Sequence, residues 1–226
     1  MLLARFFKQL GTPEKPSPVS PVASDDRPCF LNVGGGSKDI PIPSHYAGWN
    51  HLLLDVDPRG NPDVLCDARE LNSIEANQFD AIYCAHNLEH YYKHDGAEVL
   101  KGFIHVLKPD GFAEIRVPDL NAVMRAFVEK DMDIEDTLYV SLAGPITVQD
   151  VIYGRGVEIE SSGDDFYAHK TGYTPSFLGA CLKNAGFQVI FIFPFKEALE
   201  VRALAFKAEP TDQQRALLKL PTTAPR

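Results

Sequence analysis

The sequence predicts an α/β fold, with a mostly parallel sheet and an antiparallel strand pair at its C-terminal end. Three observations carry this. Short, nearly continuous apolar runs recur between residues 29 and 117, and such runs suit parallel strands covered on both faces. Between the last two runs, Val99, Leu100, Phe103, Ile104 and Leu107 recur at helical spacing. Further on, "FQVIFIFPF" and "LEVRALAFKA" are joined by a few residues, so they pair antiparallel.

The elements follow in order. "MLLARFFKQL" is interrupted by Arg5 and Lys8, is too short to span a bilayer and lacks the layout of a signal peptide. It reads as a short frayed or docked helix, or as a weak membrane-surface helix with a basic flank. No stable membrane insertion is expected. Residues up to 28 hold a Pro-rich linker, so the folded domain is expected over 29–208 and a tail over 209–226. The strand-like runs are "CFLNV", "HLLLDV", "DVLC", "FDAIYCA" and "GFAEIRV". "KPDG" is expected to stop the helix before the fifth run and turn the chain. Asp119 is a plausible N-cap for "DLNAVMRAFVEK". "TPSFLGACLKNAG" has a Thr174 cap, Pro175 at the first helical position and a closing Gly186.

The chain has 226 residues and a net charge of −9, with no basic run, so no nucleic-acid partner is expected. Cys29, Cys66, Cys84 and Cys181 show no C-x-x-C spacing, and their scatter fits small buried side chains in the reducing cytoplasm.

Chemistry begins at "LNVGGGSKD". Gly34, Gly35 and Gly36 follow the first strand directly, where open α/β sheets bind ligands and a close backbone approach is useful. The dinucleotide fingerprint fits poorly, because Asp39 occupies the third glycine position and Pro41 and Pro43 oppose an immediate helix. Asp55 closes the second strand, where a carboxylate can accept from both hydroxyls of a ribose. Asp57 competes for that role, but next to Pro58 it suits a turn cap better. Asp67 follows the third strand and can receive an exocyclic amine, or is simply a loop acid.

In order, "LNVGGG", "LLLDVDP", "VLCDARE", "FDAIYCAHNLEHY" and "VLKPDGFAEIRVPD" resemble the class I S-adenosylmethionine-dependent methyltransferases. The likeness is to small bacterial members with "LEH" after the fourth strand, and it runs from about Cys29 to Lys207. It implies a Rossmann-like sheet, S-adenosylmethionine as cofactor and S-adenosylhomocysteine as product. It implies that the glycine loop wraps the methionine end, Asp55 holds the ribose, Asp67 and Ala68 meet the adenine, and Ala85 and His86 line the sulfonium side. Asn32 stands where the family usually has an acid, Lys38 where it often has a small residue, and the first helix looks shortened.

"HNLEH", residues 86–90, also matches the H-x-x-E-H pattern of zinc hydrolases. That pattern needs a helix so that both imidazoles share a face, whereas His86 follows a strand, so no metal is expected. In the family reading Leu88 packs under the cofactor, while Glu89 and His90 open toward the acceptor. Glu89 is a catalytic candidate and His90 a substrate-binding one, or both are structural loop residues.

Residues 131–173 form an insertion expected to act as a lid. Its "FYAHKTGYT" resembles a segment of related small methyltransferases. His169 is a candidate general base, and Tyr153, Tyr167 and Tyr173 are candidates to line an acceptor pocket. Alternatively His169 ties the lid to the core and the tyrosines are packing. The expected activity is methyl transfer to an O or N nucleophile of a small-molecule or glycan acceptor. A non-catalytic S-adenosylmethionine-binding or regulatory protein is the alternative.

Overall fold

The computed structural model describes residues 26–141 and 144–221. The expected N-terminal helix, most of the Pro-rich linker and the last tail residues lie outside the described residues.

Four strands run parallel in register: β1 (Cys29–Val33), β2 (Asn50–Asp55), β3 (Val64–Leu65) and β4 (Phe79–Ala85). β5 (Leu107–Pro118) joins β4 in parallel, and β8 (Val189–Phe195) and β9 (Glu200–Phe206) complete the sheet antiparallel. The order is β3-β2-β1-β4-β5-β9-β8. The order reverses at β1 and β4, so a crevice opens beyond the carboxyl ends of these strands.

α1 (Lys93–Val106) buries Val99, Leu100, Phe103 and Val106 against one sheet face, beside Leu178 and Leu182 of α5 (Pro175–Ala185). Each such side chain contributes about 1.5–3 kcal/mol when fully buried. Thr174 caps α5 through Phe177 N–H at 3.3 Å, and Asp119 caps α2 (Leu120–Glu129) through Asn121 N–H at 3.0 Å.

Two expectations change. "KPDG" is not a separate turn: α1 passes straight into β5, Leu107 already pairs with Phe79, and the register shifts before Phe112 meets Ala81. The four residues are absorbed as a bulge-like irregularity in the strand. The first helix is absent rather than shortened, leaving one 3-10 turn, Ser44–Tyr46, between β1 and β2. Pro41 and Pro43 account for this, since neither ring can donate to a helical ladder.

Aromatic packing covers that face instead. Tyr46 stacks on Phe30 with centroids 4.4 Å apart, Trp49 meets Tyr46 edge-on at 5.5 Å, and Phe112 stacks with Phe206 at 5.5 Å. Leu218 of α6 (Asp212–Leu218) closes the cluster. A buried charge network pins it: Glu114 of β5 accepts from His45 at 2.8 Å, Arg202 at 2.8 Å and Arg116 at 3.0 Å. Burial raises the Glu114 pKa, but His45 and Arg202 outweigh it and hold it at about 2.

The segment over 131–173 has its own small core. β6 (Thr137–Ser141) and β7 (Gly144–Thr147) pair antiparallel, then α3 (Val148–Tyr153) and α4 (Gly156–Ser162) follow. Val148, Val151 and Leu138 pack on Val123 of α2. No helix among the described residues is long and apolar enough to cross a membrane.

Candidate functional site

The chain turns sharply out of β1. Gly34 takes φ +68°, and a Cβ there would fall 2.0 Å from the Asn87 amide. A Cβ on Gly35 would fall 2.3 Å from the Asn32 amide. Only glycine lets the backbone lie this close to both side chains. Asn32 is buried beneath the loop, where its amide donates to His51 Nε2 at 3.2 Å.

Asp55 closes β2 and organises the loop. Its Oδ2 accepts from Gly36 N–H at 2.9 Å and its Oδ1 from Asp57 N–H at 2.9 Å. Asp57 caps the next 3-10 turn through Arg59 N–H at 2.9 Å, as its place before Pro58 predicts. Its hydrogen bonds from Arg59 hold its pKa at about 2. Asp67 plays the same part after β3, accepting from Arg69 N–H at 2.9 Å and from its guanidinium at 2.6 Å. Burial works against its ionisation, but Arg69 prevails and its pKa is lowered.

These groups wall a cavity of about 480 Å³ beyond the strand ends. That volume suits a molecule of nucleoside size. Gly34, Gly36, Asp55 and Asp67 face it from the sheet, and Asn87, His90 and Tyr91 from the loop after β4. Phe166, Tyr167 and Lys170 face it from the other side. Arg59 donates to the Tyr167 hydroxyl at 2.6 Å, and that hydroxyl donates to Asp57 at 3.3 Å, joining the two sides.

His86 leaves β4 with φ +50° and its N–H bonded to Arg116 O at 2.9 Å. Its ring lies between Glu200, at 3.1 Å, and Glu89, at 3.5 Å. Partial burial opposes its charge, the two carboxylates outweigh this and the pKa rises, tempered by water because the ring is 54% exposed.

Glu89 is only 2% exposed. Burial pushes its pKa up, and His86 more than offsets this, so the carboxyl is held below its ordinary value. Neither carboxylate oxygen has a hydrogen-bond partner among the described residues. His90 and His169 stand beside it, their rings edge-on with centroids 4.8 Å apart. His169 Nδ1–H donates to Val151 O at 2.8 Å and His90 Nδ1–H to Ala168 O at 3.2 Å, so Nε2 carries the lone pair in the neutral form of either ring. Burial lowers the pKa of His90, so its ring is neutral at pH 7.

The methyltransferase-domain family matches residues 50–115, which include β2, the "LEH" turn and most of β5. The match covers under a third of the chain, and the chain carries the fold of the class I methyltransferases. A solved S-adenosylmethionine-dependent methyltransferase from Archaeoglobus fulgidus is 15% identical, with a TM-score of 0.53 over 80% of this chain and 87% of that one. A methyltransferase from Methanosarcina mazei is 14% identical, with a TM-score of 0.50 over 81% of this chain and 93% of that one. A protein from Pyrococcus horikoshii is 14% identical, with a TM-score of 0.51 over 80% and 82%. No curated protein matches the chain.

Within this methyltransferase fold the sequence-derived candidates fall into groups. Gly34, Gly36, Asp55, Asp67, His86, His90 and Tyr167 face the cavity. Asn32, Gly35, Ala68 and Ala85 sit behind that wall, in the strands and turns that shape it. Glu89 and His169 lie behind His90 and border a separate void of about 10 Å³. Tyr153 is exposed at the end of α3, and Tyr173 is a core residue stacked on Phe177 at 5.5 Å. Residue spacing did not single out Arg69, Asn87, Tyr91 or Lys170. All four carried one signal, since each adjoins a candidate residue: Ala68, His86, His90 and His169.

The cavity fits S-adenosylmethionine on chemical grounds. Asp55, Asp57, Asp67, Asp95 and Asp165 line it against Arg69 and Lys170, an acidic balance that complements a cofactor with sulfonium and ammonium charges.

Proposed function

We propose that this domain transfers a methyl group from S-adenosylmethionine to an O or N nucleophile of a small-molecule or glycan acceptor. The observation that carries the reading is the acidic cavity at the strand ends, with Asp55 fixed by the glycine loop on one side and the Phe166–Lys170 segment opposite. When bound, the cofactor supplies an electrophilic methyl group.

The chain's own residues bind, orient and exclude water. Asp55 accepts from the ribose hydroxyls, and its two backbone partners hold it in that orientation. Asp67 and the neighbouring Ala68 turn take the adenine. The backbone of Gly34, Gly35 and Gly36, underpinned by Asn32, lies along the methionine end. His86 borders the reacting centre, and Ala85 behind it sets where the chain leaves the strand. Residues 131–173 serve as the lid on the domain of residues 29–208, and Tyr167 holds it down through Arg59 and Asp57. Displacing water strengthens every charge contact inside.

The acceptor enters beside His90. In an O- or N-methylation the nucleophile forms a bond to carbon as the carbon–sulfur bond breaks, and the acceptor's proton must leave. Glu89, His90 and His169 are the proposed means of making the acceptor electron-rich. In the metal-free chain the neutral His90 Nε2 takes the proton, and Glu89 and His169 orient and support it. Tyr153 and Tyr173 contribute less directly, through the lid surface and the packing beneath the site. Free cysteines, three of them buried, support a cytoplasmic setting, and the net charge of −9 argues against nucleic acid as partner.

One observation favours the non-catalytic alternative: both Asp67 oxygens already bond Arg69. Calorimetric titration with S-adenosylmethionine and S-adenosylhomocysteine tests the first reading, with NADH as control. Micromolar binding of the sulfur compounds is expected, and a folded protein that binds neither overturns it. Methylated product from an acceptor screen would exclude the alternative.

A further inference from the structure

We infer that Glu89, His90 and His169 form a binding site for one divalent transition-metal ion of the zinc type. Each residue offers one ligand atom, and these atoms lie within 4.8 Å of one another. The set is two imidazoles and one carboxylate, which suits Zn²⁺ or its neighbours and not Mg²⁺, which prefers oxygen ligands.

Three features set the cluster apart from a chance grouping. Glu89 is 2% exposed, yet neither oxygen receives a hydrogen bond among the described residues. An ionised carboxylate in such surroundings is costly unless a cation or donor meets it. His86 Nδ1, 3.5 Å away, offers a nearby charge, but it sits closer to Glu200 and leaves both Glu89 oxygens without a hydrogen bond. Second, each imidazole is oriented by an Nδ1–H bond to a backbone carbonyl, Val151 O for His169 and Ala168 O for His90. That is the outer-shell arrangement that fixes the tautomer of a metal-binding histidine and directs Nε2 at the ion. Third, three side chains able to ligate a metal converge from two segments far apart in the chain.

The geometry is near what the ion needs. Zinc bonds of about 2.0–2.1 Å set ligand separations of about 3.3 Å, so side-chain rotation must draw the three atoms inward from their present spacing. The void of about 10 Å³ beside Glu89 and His169 gives room for that adjustment. His90 faces the main cavity, so the fourth coordination position opens toward it. A hydroxyl acceptor bound there loses its proton more readily.

The site differs from the H-x-x-E-H reading of the sequence. His86 contributes nothing and the imidazoles of His86 and His90 do not converge on one helix face. Glu89 and His90 are joined instead by a histidine from the far side of the insertion. The ion's use rests on placing the acceptor at this end of the cavity, whereas its binding does not rest on the methyl-transfer reading.

The test uses the full-length protein after treatment with a chelator. Zn²⁺ is titrated by calorimetry and Co²⁺ by its visible absorption. One equivalent of either is expected, with cobalt giving the intense band of a four-coordinate site. His169→Ala and Glu89→Gln should each weaken binding by about 100-fold or more, because the first removes a ligand and the second replaces an anionic ligand with a neutral amide. His94→Ala, at a ring that is 82% exposed, should leave it unchanged. His169→Cys keeps a ligand and should restore tight binding, with a new thiolate-to-cobalt charge-transfer band. S-adenosylhomocysteine titration of the same samples reports the fold and the cofactor reading separately. Folded wild-type protein that takes up no metal, or uptake undiminished in His169→Ala and Glu89→Gln, overturns the inference. Metal uptake without S-adenosylhomocysteine binding leaves it standing and counts only against the cofactor reading.

Discussion

Replacing Asp55 by alanine removes the group on which the cofactor reading depends. The carboxylate faces the cavity with each oxygen held by one backbone N–H, at 2.9 Å from Gly36 and 2.9 Å from Asp57. Each oxygen keeps a further lone pair for a ribose hydroxyl. A hydrogen bond to a charged group contributes about 1.5–3 kcal/mol, so losing both costs about 3–6 kcal/mol of binding. At about 1.4 kcal/mol per tenfold, S-adenosylhomocysteine affinity should fall by roughly two to four powers of ten. The variant also leaves two N–H groups without acceptors, so calorimetry is paired with thermal melting to establish that the protein is folded. Asp55→Asn keeps one carbonyl acceptor and should lose less. Asp57→Ala, which removes a turn cap and a lid contact, should lose less than Asp55→Ala. Folded Asp55→Ala with undiminished affinity would refute the ribose assignment, and a greater loss in Asp57→Ala would transfer the role to Asp57.

Other outcomes follow from the same geometry. Gly35→Ala should destabilise the loop by about 1–3 kcal/mol through its clash with the buried Asn32 amide, and weaken cofactor binding, as read by melting and calorimetry. Tyr167→Phe removes both hydroxyl bonds to Arg59 and Asp57. It should speed S-adenosylhomocysteine release by a few-fold in stopped-flow measurements with little change in melting temperature, since each bond is worth about 1 kcal/mol. Glu114 has its pKa depressed from 4.5 to about 2, so its contribution is complete above the unfolded pKa and is lost as pH falls from about 5 to 2. That contribution is about 3 kcal/mol, and urea unfolding should show Glu114→Gln less stable at pH 7 and closer to wild type at pH 3.

Much of the fold was legible because local chemistry and tertiary packing agree. The runs ending at Val33, Asp55 and Ala85 are strands, and the Thr174, Pro175 and Gly186 signals bracket α5. Asp55 and Asp57 were separable from sequence because Pro58 follows one of them and makes it a cap. The misreading at "KPDG" has a plain cause: turn residues mark irregular backbone, and a bulged strand supplies that as well as a loop does. The missing first helix was half legible in Pro41 and Pro43, but the aromatic cluster that replaces it joins Phe30, Tyr46, Phe112 and Phe206, which lie far apart in the chain. The same limit applies to Glu89, His90 and His169. "LEH" and "AHK" were each visible, but nothing in their spacing brings together segments joined by bonds such as that from the His90 ring to Ala168 O, which spans 78 positions.

The aromatic cluster has an optical consequence. The chain contains a single tryptophan, and Trp49 packs against Phe30, Tyr46 and Phe112. It does not border the cavity. Its emission therefore reports the integrity of one sheet face and is insulated from ligand entry. Unfolding can be followed by indole fluorescence in the same cuvette in which a visible metal band follows the site, and the two signals should be separable from a single sample.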